Sequence, residues 1–166
     1  MSEIDDLRAS MRAAQPSGKG QYIEQGRHEL EIKNCFVKRS TQEGRIKETW
    51  ICEFTVITST NPSHEPGSTR SYAENPENAG WMGRFKSFLT AAVGVPSNAK
   101  LSPADEQTIG DVTVALRFDE ERTRMGWPEN FLKGRRVLCE GMAGKSKGGI
   151  EITNKKWEPA APVAAA

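Results

Sequence analysis

Hydrophobic and polar residues alternate most clearly over residues 45–58, where Trp50, Cys52, Phe54 and Val56 interleave with Thr49, Ile51, Glu53 and Thr55. A two-residue period rich in β-branched and aromatic side chains predicts a strand with one buried face. Residues 26–39 carry a similar pattern, with Leu30, Ile32 and Phe36 on one face and Glu29, Glu31 and Lys33 on the other. Ser40–Gly44 between them is a hairpin-length turn, so two long antiparallel strands are expected. Asn61–Gly67 contains two prolines and reads as a loop, followed by a short third strand over Ser68–Tyr72 and a second break at Asn75–Asn78.

The period then changes. Trp81, Phe85, Phe88, Leu89 and Ala92 recur at helical spacing over about Ala79–Val93, with Arg84 and Lys86 outside the stripe. Gly94-Val-Pro96 ends that helix, glycine capping it and proline blocking its continuation. Residues 104–122 admit two readings. Ile109, Val112 and Leu116 suit a helix, and the Val-Thr-Val run suits a strand. Helix is favoured because the charged stretch after Phe118 continues without turn residues. Gly126–Asn130 is a loop. A last hairpin pairs Arg135–Met142 with Ile150–Trp157 across the turn Ala143–Gly149. Near the N-terminus, Ile4, Leu7 and Met11 fall at helical spacing, and either a short helix or a frayed end fits. The organisation expected is a flexible segment 1–20, one domain over 21–159, and a disordered Ala-rich tail over 160–166.

Composition narrows the class. The 166 residues are 36% hydrophobic and 27% charged, which describes a water-soluble chain with a modest core. No run approaches the roughly 20 apolar residues of a membrane-spanning helix, and Met1–Gln15 lacks a secretory h-region. A cytoplasmic protein with no membrane association is expected. Cys35, Cys52 and Cys139 are odd in number and without CxxC spacing, so free buried thiols are expected and neither a disulfide framework nor a metal site.

The net charge of +1 conceals an uneven distribution. Residues 133–157 hold Lys133, Arg135, Arg136, Lys145, Lys147, Lys155 and Lys156 against Glu140 and Glu151. Residues 101–122 hold six acids, among them Asp105, Glu106, Asp111 and Asp119–Glu121, against Arg117 and Arg122. Catalytic motifs fail individually. There is no GxSxG or HExxH, and the Gly144-Lys145-Ser146 triplet lacks its P-loop glycine because Cys139 stands at that position. No catalytic residues, metal or cofactor are assigned.

Binding chemistry is better represented. Single-stranded nucleic acid is held by basic grooves interleaved with aromatic stacking platforms. Lys47 lies near Trp50, Arg70 near Tyr72, Arg84 near Trp81, and Lys155-Lys156 precede Trp157. Trp50 and Trp81 sit on apolar stripes and read as core. Tyr72 is the favoured exposed ring, and Trp157 suits stacking or packing equally. Lys145 and Lys147 in the glycine-rich turn would contact phosphates.

The order of these segments resembles a family of small tailed-phage proteins from replication and recombination gene clusters, similar to OB-type single-stranded-DNA-binding proteins. The residues that carry the resemblance are Gly26–Lys38, Trp50–Val56, Asn61-Pro62, Gly67–Tyr72, Phe85–Val95, Leu132–Val137, Lys147–Asn154 and Trp157–Pro159. The resemblance implies a mainly β fold, an OB-like five-stranded barrel with one or two helices, and no catalysis. Single-stranded DNA would be the ligand, with phage or host replication and recombination proteins as further partners and homo-oligomerisation left open. The tail Ala160–Ala166 lacks the acidic, Phe-terminated end of many such proteins. The site residues expected are Lys33, Lys47, Arg70, Tyr72, Arg84, Arg135, Lys145, Lys147, Lys155, Lys156 and Trp157. The alternative is a non-enzymatic protein-interaction module.

Overall fold

The computed structural model describes residues 2–13, 22–145, 149 and 151–160. Its elements in chain order are helix α1 (Glu3–Ala13), strands β1 (Gly26–Gln42), β2 (Arg45–Ser59) and β3 (Thr69–Glu74), helices α2 (Trp81–Ala92), α3 (Pro103–Arg117) and α4 (Asp119–Arg124), and strands β4 (Arg136–Lys145) and β5 (Glu151–Pro159). The fold is mainly β. The five strands form one antiparallel sheet in the order β3-β2-β1-β4-β5.

Local chemistry accounts for most boundaries. Glu43 and Gly44 take φ of 51° and 74°, a two-residue turn whose twist matches the β1–β2 strands that flank it. Helix α2 ends at Gly94, φ 92°, with Gly94 N–H donating to Ala91 O and Val95 N–H to Thr90 O, so its last carbonyls are satisfied by the turn that follows. The 104–122 segment is helical, but in two pieces: Phe118 takes an extended backbone (φ −123°, ψ 102°) between α3 and α4, so the described residues hold four helices where one or two are expected. Ser102 and Asp105 exchange capping bonds and Pro103 starts the first turn, which together set the N-terminus of α3. Residues 3–13 form a helix, and residues 14–20 of the segment expected to be flexible lie outside the described residues.

Two bulges shape the long strands. One leaves Ile57 of β2 unpaired between Thr58, opposite Glu29, and Val56, opposite Leu30. The other falls at Lys33 of β1, because Ile32 pairs with Phe54 and Asn34 with Glu53. An extra residue in one strand reverses the alternation beyond it. Cys35 and Val37 therefore share the core face with Cys52 and Trp50, and Phe36 lies opposite Ile51 on the outer face. This corrects the expectation that Phe36 continues the stripe of Leu30 and Ile32.

The core forms between the inner sheet face and the helices. Leu30, Ile32, Phe54, Val56 and Val137 meet Phe85, Phe88 and Leu89 of α2 and Ile109, Val112 and Leu116 of α3. Trp157 of β5 lies 4.9 Å from Phe88 and 5.1 Å from Tyr72 of β3, ring centre to ring centre. The two edge strands are thus in side-chain contact. No β3–β5 ladder is present among the described residues, and Tyr22–Ile23 instead bridge to Ser71 on β3. Cys35 and Cys52, opposite each other on β1 and β2, are joined by a disulfide, and Cys139 alone is a free, buried thiol. The expectation of three free thiols is corrected: the hairpin register, not the sequence spacing, brings the pair together.

Candidate nucleic-acid interface

Four of the expected site residues turn inward. On β3, Arg70 pairs with Phe54, Tyr72 with Cys52 and Glu74 with Trp50, all on the core face. Arg70 is buried, and its guanidinium donates to the carbonyls of Tyr22 and Ser63, tying the entering chain and the 61–67 loop to the sheet. The Tyr72 ring is buried, and its hydroxyl donates to Glu74 at 2.7 Å. Burial, together with that bond, raises the pKa of the phenol. Trp157 is 4% exposed and packs among Phe54, Tyr72 and Phe88, so it serves packing and not base stacking. Lys155 also faces inward, its ammonium 5.4 Å from the Tyr72 ring centre and bonded to Thr153 O. Its burial lowers its pKa. These placements overturn the expectation that Tyr72 offers an exposed ring and that Arg70 and Tyr72 share a face with Lys33 and Lys47.

Arg84 is half exposed but committed to Glu74, with Nη2 3.0 Å from that carboxylate. That bond, foremost, raises the pKa of Arg84. The carboxylate of Glu74 therefore receives Tyr72 and Arg84 together, which explains an acid on the core face. Arg135 is exposed and leans on the last turn of α2 through Ala92 O. Lys145 and Lys156 are exposed on the β4–β5 hairpin, whose ladder continues three pairs beyond Met142–Asn154, into the expected turn, to Lys145 and Glu151. Lys147 lies outside the described residues.

The outer face of β1–β2–β3 supplies what the inward residues do not. Phe36 and Ile51 form a half-buried apolar pair beside Ala73. Around them on the same face lie Lys38 opposite Thr49, Lys47 opposite Ser40, Arg45 at the hairpin end, and Lys33 at the bulge with Nζ 3.5 Å from Thr69 Oγ1. Glu53, opposite Asn34, is the acid among these strand positions. The sequence reading missed Phe36, Lys38 and Arg45. Counting back from a two-residue turn at Glu43–Gly44 would have paired Phe36 with Ile51 and exposed the error at Lys33.

The other half of the outer face is neutralised. Arg136 lies 3.9 Å from both Glu29 and Glu31, and Arg27 lies 4.0 Å from Glu140. A cleft of about 460 Å³ opens there, lined by Arg27, Glu29, Thr58, Leu138, Lys156 and Glu158 among others. Beneath it, His28 and His64 stack with ring centres 4.4 Å apart. His28 bonds Ser59 Oγ and Glu24 O through its two nitrogens, and His64 Nε2 accepts from Glu24 N–H. Burial, then the nearby Arg70 and His28, push the His64 pKa down to about 4. Both imidazoles are held by backbone and loop hydroxyls and are 1–2% exposed, so they brace the loop, with His28 in the floor of the cleft.

No group of acids, histidines and cysteines among the described residues is arranged to hold a metal, and no described helix is long and apolar enough to cross a membrane. No protein-family model matches the chain, and no curated protein matches it in sequence.

Proposed function

We propose that this chain is a binding protein that holds single-stranded DNA, without strong sequence preference, across the outer face of β1–β2–β3. The observation that carries the reading is the cluster of Lys33, Lys38, Arg45 and Lys47 around the Phe36–Ile51 pair. Phosphates are attracted by the cations, and a half-exposed ring offers a stacking surface that accepts any base. The strand order, with helices α2 to α4 between β3 and β4 and the two edge strands in side-chain contact, supports an OB-like barrel. The resemblance to small tailed-phage proteins supplies the setting of DNA replication and recombination. The assignment of the face rests on placement: relative to the sequence expectation, it moves from the β4–β5 hairpin to the β1–β2 hairpin. Fluorescence anisotropy with labelled oligo-dT at two salt concentrations tests it. Binding at or below micromolar concentration in low salt, weakening steeply at higher salt, is the expected result. No binding at that concentration in low salt overturns the reading.

A protein-interaction module is the second reading, favoured by the exposed Leu138, Met142 and Ile152 on the neutralised half. It predicts partner binding that survives high salt and nuclease.

A further inference from the structure

The β1–β2 hairpin outruns the sheet that it belongs to. Pairing of β1 with β4 ends at Glu31, and β3 reaches no further along β2 than Trp50, which lies opposite Val37. From Lys38 to Thr49 the two strands pair with each other, and no third strand joins them among the described residues. The ribbon extends roughly 17 Å from Val37 to Gln42, at ~3.4 Å per residue. A free two-stranded ribbon is marginal in water. This one is braced at its base, where Glu48 receives Arg39 at 3.3 Å and Arg117 of α3 at 3.0 Å. The arm is thereby tied to the helical layer.

Both faces of the arm are open, and both are cationic. Lys38, Arg45 and Lys47 lie on the outer face, continuous with Phe36. The opposite face carries Arg39 with Arg117 beside it; the two share one carboxylate and keep a net positive charge. Near the tip, Ile46 lies opposite Thr41 on the core side, past Trp50, where the core ends. It is 73% exposed, more than any other large hydrophobic side chain among the described residues. Glu43, in the turn, is the acid at this end.

We propose that this arm is a pin for forked DNA, the junction of a duplex with two single strands. The inference rests on the single-stranded-DNA reading of the Phe36 face and narrows its substrate. One strand runs from the Phe36 face along Lys38, Lys47 and Arg45, and its complement passes the opposite face by Arg39 and Arg117. Ile46 stands between them and parts the last base pair. Two phosphate chains repel each other, and a thin cationic blade between them contacts both. Apolar wedges, isoleucine among them, are what DNA-binding proteins insert where a base step is unstacked. A single strand on the Phe36 face alone would leave Ile46 and the Arg39 face without a partner.

Fluorescence anisotropy in low salt tests this with oligo-dT, a blunt duplex, and the same duplex ending in two dT tails, with 2-aminopurine in its last base pair. The fork is expected to bind about five-fold tighter than oligo-dT, beyond the doubling that two tails give by number alone. The 2-aminopurine should brighten as its base unstacks. Ile46→Ser should remove both the preference and the brightening while oligo-dT affinity and the urea midpoint hold, and Ile46→Leu should keep both. If oligo-dT binds but the fork binds no tighter than its tails account for, or the 2-aminopurine stays dark, the proposal is overturned and the single-strand reading stands. A blunt duplex bound as tightly as the fork also overturns it, as does an unchanged preference and brightening in Ile46→Ser. Failure of oligo-dT itself to bind overturns the single-strand reading, and the pin with it.

Discussion

Along the outer face of β1 the surface changes character at the Lys33 bulge. Before it, Arg27, Glu29 and Glu31 meet Arg136, Leu138 and Glu140 of β4, and each cation lies about 4 Å from a carboxylate. Beyond it, β1 has no β4 partner, because that pairing ends at Glu31, and Lys38, Lys47 and Arg45 surround Phe36 with no acid paired to them in these positions. The difference shows why a count of basic residues along the sequence misleads. A cation already neutralised by a neighbour contributes little field at a distance, whereas clustered unpaired cations attract a polyanion. The 133–157 segment is richer in lysine and arginine, yet Arg136 and Lys155 are spent within the fold.

The comparison can be strained at several points. The largest effect is expected from Trp157→Ala, because a large ring lost from the Phe54–Phe88–Tyr72 cluster costs ~3–5 kcal/mol of stability. Urea denaturation reads the loss. If Trp157 stacked on bases instead, stability would hold and affinity would fall.

Acid comes next. The His28–His64 pair lies beneath the neutralised half, and His64 is held down to about 4 from an ordinary 6.5. A histidine depressed in the folded state takes up its proton more readily when unfolded. The contribution is therefore complete above pH 6.5 and is lost as pH falls from 6.5 toward 4, by roughly 3 kcal/mol for a shift of this size. Denaturation midpoints between pH 7 and pH 4 measure this. His64→Gln should flatten that dependence.

Phe36→Ala should weaken oligo-dT binding by ~1–3 kcal/mol, the worth of one stacked base, and lower the urea midpoint less than Trp157→Ala, because the ring is only half-buried, on the outer face. The smallest effect separates the two halves directly. Lys156→Glu, on the neutralised half, should change affinity less than about two-fold, as expected of an exposed charge among acids. Lys47→Glu should cost about ten-fold, read by the same titration.

The strands were legible in the sequence, because alternation over 45–58 and 26–32 is a direct imprint of a face buried against helices. The capping residues around α3 and the Gly94-Val-Pro96 stop were legible for the same local reason. The bulge at Lys33 was not, since nothing in residues 30–37 marks an extra residue; only the partner strand defines it. Phe36 was accordingly assigned to the wrong face. The orientation of β3 was hidden too. Arg70, Tyr72 and Glu74 look like a solvated edge, and they are inside because each finds a partner there: carbonyls for Arg70, Glu74 for Tyr72, and Arg84 for Glu74. The Cys35–Cys52 pairing depends on hairpin register in the same way.

The central claim is that phosphates are held on the Phe36 half of the outer face. The most direct measurement is the slope of log affinity against log salt for oligo-dT, compared between the wild type and the Lys38→Glu, Lys47→Glu double variant. The account predicts a slope shallower by about two, one for each phosphate contact removed, together with at least a thirty-fold loss of affinity in low salt. An unchanged slope and affinity in a folded double variant would contradict it and return the site to the β4–β5 hairpin or to another ligand.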